Sequence, residues 1–187
     1  MRADVTKKLF TVDEYYQMLD AGILKAKDRV ELIEGEILEM SPIGHRHDVC
    51  VLRATDFLTT ALKGKALISV QSTLRLNNYN EPQPDIVVLK WRADYYAPKR
   101  FTPDDALLVI EVSDTSLRYD TKIKLPIYAA TGVAELWVEN LQKNLLLVYR
   151  DPAGKSYRTQ LTFSRGESVS PLAFPNVTFR VNDLLGL

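Results

Sequence analysis

Two carboxylates stand out because each is set into a stretch too apolar to hold one for structural reasons alone. Asp85 lies in Pro84-Asp85-Ile86-Val87-Val88-Leu89, and Glu111 in Leu107-Leu108-Val109-Ile110-Glu111-Val112. Short aliphatic runs of this kind, apolar at both parities, predict central strands covered on both faces. A carboxylate there needs a cation, a donor network or a raised pKa to offset its desolvation. Lys122 and Lys124 follow downstream. An Asp on one strand, a Glu on the next and a nearby Lys are the inventory for binding Mg²⁺ and activating a water against a phosphodiester. Plainer readings stand beside this one. Asp85, directly after a proline, also fits a strand end wetted by solvent, and either carboxylate could pair with an arginine. Lys122 and Lys124 are equal candidates on chemistry alone, and Asp120 fits a cap for the helix that carries them.

The elements that must position these groups can be read along the chain. Thr11 and Glu14 form a capping box, and the helix they open should stop near Gly22. Residues 29–40 read as a hairpin or bulged strand pivoting on Gly35, with glutamates at 31, 34, 36 and 39. These would ordinarily form a solvated edge, although near a metal site one could face inward. A helix is expected over 48–63, capped by Gly64, and a strand over 66–75. His45 and His47 lead into that helix and carry only a weak metal signal. Between the carboxylate strands, Trp91, Tyr95 and Tyr96 mix with Lys90, Arg92, Lys99 and Arg100, which suits nucleic-acid contact or a solvated loop. A helix is expected over 120–131, with Pro126 forcing a kink or a late start. On that helix Lys124 lies four residues before Tyr128 and should face the sheet, with Lys122 turned to solvent. The remainder is strand-rich. Strands interleaved with helices, then a β-rich tail, predict one α/β domain over 1–187 around a mixed sheet.

Bulk properties narrow the classes. Apolar residues make up 46% of the 187 positions, as in an ordinary globular protein. Lys+Arg and Asp+Glu both total 24, which argues against a non-specific nucleic-acid coat but not against a nuclease. A single cysteine, Cys50, excludes an intramolecular disulfide and fits a reducing interior. One Cys and two His cannot furnish a Cys/His zinc site. No leader-like stretch opens the chain, and no run approaches the ~20 apolar residues needed to span a bilayer. The expectation is a cytoplasmic protein with no membrane partner.

The succession ELIEGEILEMSP, His47, EPQPDIVVL, LLVIEVSDTS, YDTKIKLPIYAATGV and ELWVEN resembles the Uma-two-type endonucleases, a bacterial family abundant in cyanobacteria. The resemblance runs from about Phe10 to the C-terminus. It implies the PD-(D/E)XK restriction-endonuclease-like fold, a central mixed sheet flanked by helices. It also implies Mg²⁺-dependent hydrolysis of phosphodiesters, with Mn²⁺ as substitute. On it, Asp85 and Glu111 are catalytic metal ligands, the backbone carbonyl of Val112 also touches the metal, and Glu36, ahead of Glu31, is the acidic N-terminal element. Ser113 stands where the wider superfamily has its lysine, and Lys124 takes over that role from the following helix. The expected substrate is DNA, with RNA not excluded. Cutting duplex DNA usually takes two facing sites, hence an expected homodimer. The alternative is a catalytically silent nucleic-acid-binding or interaction module of the same fold, which Ser113 favours and the retained Asp85, Glu111 and Lys124 disfavour.

Overall fold

The computed structural model describes residues 6–25 and 27–186; residues 1–5, part of the stretch read for a leader, lie outside them. Among the described residues, ten strands and five α-helical segments follow one another. They are α1 (Val12–Asp20), β1 (Val30–Ile33), β2 (Glu36–Glu39), α2 (His45–Ala61), β3 (Ala66–Val70), β4 (Ile86–Lys90) and β5 (Ala106–Ser113), then α3 (Leu117–Tyr119), a π turn (Asp120–Lys124) and α4 (Leu125–Ala130). The chain ends with β6 (Glu135–Asn140), β7 (Leu145–Ala153), β8 (Ser156–Ser164), β9 (Ser168–Val169), β10 (Phe179–Arg180) and α5 (Val181–Leu184).

Strands β3 to β8 form one six-stranded sheet in sequence order. All neighbours are antiparallel except β5 and β6. The parallel pair requires a crossover, and the α3–π–α4 segment supplies it. This segment brings Lys124 over the sheet. The expected mixed sheet with a β-rich C-terminal part is therefore the fold observed.

Both faces of the sheet are covered, which is why β4 and β5 are apolar at both parities. On one face Ile86, Val88, Leu108, Ile110, Val112 and Trp137 pack with α2 and α5. On the other, Val87, Leu89, Val109, Leu136 and Val138 pack with α4 and the β1–β2 hairpin. Glu111 has the parity of Val109 and enters the second face. Glu139 has the parity of Trp137 and enters the first. Two buried acids thus sit on opposite faces of neighbouring strands.

Several boundaries moved for local reasons. The Thr11–Glu14 capping box is present, and α1 ends before Gly22. Helix α2 starts at His45 because Gly44, with extended backbone, is its N-cap. Strand β3 stops at Val70 because Gln71 adopts φ 46°, outside strand geometry. The helix expected from 120 begins at Leu117 and passes through the π turn before Pro126. There the Leu125 N–H reaches back to Asp120 O, five residues away, ahead of the proline that has no N–H to give. Gly35 closes the hairpin at φ +77°, where an added Cβ would stand 2.7 Å from Leu9 Cβ, so the position takes no side chain.

Candidate active site

Antiparallel pairing of β4 with β5 places Ile86 opposite Ile110, so Asp85, one residue before β4, faces Glu111. Asp85 Oδ2 accepts the Val112 N–H at 2.8 Å and so replaces the backbone partner that the strand has just run out of. Its Oδ1 lies 3.1 Å from His47 Nε2 on the first turn of α2. Glu111 Oε1 accepts from Lys124 Nζ at 3.1 Å and from Tyr128 Oη at 2.7 Å. The two carboxylates and Lys124 meet as the sequence predicts, while Lys122 is exposed.

Lys124 is 5% exposed. Its ammonium bridges Glu111 and Glu31, the latter through Oε2 at 3.2 Å. Glu31 is fixed in turn by the Gln83 N–H at 3.1 Å and the Tyr119 hydroxyl at 2.8 Å. Burial pulls the Lys124 pKa down, but Glu111, Glu31 and Asp120 outweigh it, and the ammonium is held charged above its usual value. Glu111 is pushed up to about 8, first by burial and further by Asp120 and Asp85, against the pull of Lys124. Asp120 is raised by burial too, despite Lys124 and the hydroxyls of Ser116 and Ser113. One ammonium therefore does not compensate the carboxylates around it. For His47, burial lowers the pKa, but the Asp85 hydrogen bond and charge outweigh it and leave it raised.

Glu36 is a correction. It does not reach the cluster: it is exposed at the hairpin end, where its Oε1 accepts from Lys7 Nζ at 2.8 Å. The hairpin register pairs Glu31 with Leu38 over the site and Glu36 with Ile33 two positions nearer the turn, a displacement of ~6.6 Å along the strand. Glu31 takes the inward place. Asp120 is no helix cap either. It is buried within the crossover, accepting from Ser113 Oγ at 2.7 Å and Ser116 Oγ at 2.6 Å. The Ser113 hydroxyl is thus committed to Asp120. Sequence reasoning alone does not assign His47, Tyr119 and Asp120 to the site. The spacing of Asp120, Lys124 and Tyr128, four residues apart each time, marks one helix face and was the available signal. Tyr96 of the aromatic-basic loop is buried, with the Arg92 guanidinium 4.9 Å from its ring centroid, so part of that loop is structural.

Asp85, Glu111, Lys124, Glu31, His47 and Asp120 line a cleft of about 590 Å³. Among the described residues no three His, Cys, Asp or Glu side chains are arranged around one ion. The donor set nonetheless fits Mg²⁺, which binds through one or two carboxylates and keeps several waters. Asp85 retains free lone pairs beyond its two hydrogen bonds. Glu111 leaves Oε2 outside the Lys124 and Tyr128 contacts. The Val112 amide is turned toward Asp85, so its carbonyl faces the same side of the strand.

On the sheet's other face, Glu139 is fully buried against Cys50, with Sγ 2.7 Å from Oε2, while Oε1 has no partner among the described residues. Burial pushes its carboxyl up to about 8. The folded protein then holds a proton that the unfolded chain releases near 4.5. The stability this contributes is present below pH 4.5 and lost as pH rises to about 8. Glu139→Gln should flatten that loss. Between pH 6 and 9 the melting temperature of the variant should fall less than that of wild type, and parallel curves would refute the buried proton.

A search of curated proteins returns no match. The family model Uma2, "Putative restriction endonuclease", matches residues 12–182. Among solved structures, the chain is similar to a "putative nuclease belonging to DUF820" from Anabaena variabilis. The two share 18% identity and a TM-score of 0.74, over 94% of this chain and 97% of that one. That likeness establishes a shared fold.

Proposed function

The chain belongs to the Uma2 family, and from that membership and the geometry of the cleft we propose that it is a Mg²⁺-dependent endonuclease that hydrolyses phosphodiester bonds in DNA. The observation that carries the reading is the convergence of Asp85, Glu111 and a buried, charged Lys124 in one cleft. A structural ion pair needs only one carboxylate. Here several crowd one ammonium, and desolvating them is costly without further positive charge.

Asp85, Glu111 and the Val112 carbonyl would hold the ion, which when bound supplies charge neutralisation at the phosphate and a more acidic water. The protein's own groups do the rest. Lys124, gripped by Glu31 and Glu111, has a third N–H with which to orient the attacking water or meet developing negative charge on the phosphate. Tyr119 and the Gln83 amide keep Glu31 from swinging away. Tyr128 fixes Glu111 by its Oε1. His47 and the Val112 N–H fix both oxygens of Asp85. Such prior orientation is what makes an electrostatic site effective.

Cleavage of plasmid and oligonucleotide DNA is the test. Cutting should require Mg²⁺, persist with Mn²⁺ and stop with EDTA. Cutting that survives EDTA, or none on any DNA, overturns the reading.

A further inference from the structure

We propose that the cleft takes a single-stranded or locally unpaired polynucleotide, with one base seated against an apolar wall and the adjoining phosphate held by Arg29. The inference rests on the nuclease reading above and narrows its substrate.

The reacting groups lie deep. The side chains of Asp85, Glu111 and Lys124 are only 15%, 3% and 6% exposed. A phosphate must descend into the cleft to meet them. At about 590 Å³ the cleft falls in the size range of small-ligand pockets, ~300–1,000 Å³. That suits a nucleotide or two entering as a separate strand, whereas the stacked, paired bases of an intact duplex would have to stay outside.

One wall of the cleft is apolar. Where β2 runs on toward α2, Leu38, Met40, Pro42 and Ile43 line the cleft. Each keeps some solvent exposure. An apolar wall facing an acidic floor gives nothing to a metal or a phosphate. It matches the face of an unstacked base, which is how proteins recognise single strands.

Arg29 marks a path for the strand. Arg29 donates one hydrogen bond, to Ser41 O at 3.1 Å, and has no carboxylate partner among the described residues. It lines both this cleft and an adjoining pocket of about 140 Å³, and the two share Arg29, Met40, Gln83 and Asp85. A guanidinium with free donors at the junction of two connected hollows is placed to bind a backbone phosphate as the strand passes. A strand handled this way needs no second site opposite, so the homodimer expected for duplex cutting is not required by the chemistry.

The test is fluorescence anisotropy with Ca²⁺ in place of Mg²⁺, comparing single-stranded DNA, single-stranded RNA, blunt duplexes, and single strands carrying one abasic position. A single strand, DNA or RNA, should bind at least ~10-fold tighter than its duplex, and the abasic position that falls at the wall should lose about as much, within the range of base-contact losses. The Met40→Ser/Ile43→Ser variant should bind intact and abasic strands alike, at the weakened level. The abasic scan on wild type needs no variant and stands if that variant misfolds. Equal or tighter duplex binding, or indifference of wild type to every abasic position, overturns the inference. If single strands are preferred but nothing is cut with Mg²⁺, the nuclease reading fails and the docking stands. If duplexes are cut as fast as single strands, the reverse holds.

Discussion

Replacing Lys124 by alanine should lower cleavage by ~10²–10³-fold, the scale seen when one preorganised charge-stabilising donor is removed. Lys122→Ala should stay within a few-fold of wild type. The contrast follows from geometry. Lys124 is buried between Glu31 and Glu111, at 3.2 and 3.1 Å, while Lys122, two residues earlier, is exposed. Removing the ammonium also strands two buried carboxylates, a loss of ~3–5 kcal/mol when one partner of a buried pair is deleted. Glu111, already raised by burial, loses the lowering pull of Lys124 in the variant, so it takes up a proton more readily and softens that cost toward acid pH. The variant should therefore be most stable, relative to wild type, on the acid side. Rates are to be compared at a pH where circular dichroism shows both variants folded. Equal losses in Lys122→Ala and Lys124→Ala, or no loss in either, sink the assignment.

Asp85→Asn should remove cleavage to a similar or greater degree and should also abolish the protein's thermal response to Mg²⁺. An ion that binds only the folded state stabilises it by ~2.7 kcal/mol at a hundredfold excess over its Kd, and for a chain of this size each kcal/mol moves the melting temperature by ~2–4 °C. Wild type should gain several degrees in saturating Mg²⁺, and Asp85→Asn little. The asparagine oxygen can still accept the Val112 N–H, so without metal the fold should be kept. Glu111→Gln should behave likewise. A melting shift of the same size in wild type and both variants would remove Asp85 and Glu111 as ligands.

The strands, their coverage on both faces and the two misplaced carboxylates were legible in the sequence, because desolvation makes an acid in an aliphatic run anomalous wherever it lies. Lys124 could be separated from Lys122 for a similar reason: helical periodicity is local and sets which side chain faces inward. The hairpin was legible as an element, but not which of its glutamates enters the site. Glu31 and Glu36 are each followed by an aliphatic residue and, through the register, lie on the same face of the hairpin. Only the docking of the hairpin over the β5 end decides that Glu31 lies above Lys124 while Glu36 overhangs into solvent beside Lys7. The same holds for His47. It becomes a partner of Asp85 because a helix from one part of the chain is packed against strands from another, whereas Asp120 is held by Ser113 and Ser116 leading into its own crossover. The sequence by itself determined which groups could not be indifferent to burial. The tertiary structure decided which of them share a charge, because contact between distant segments is set by packing that no local spacing encodes.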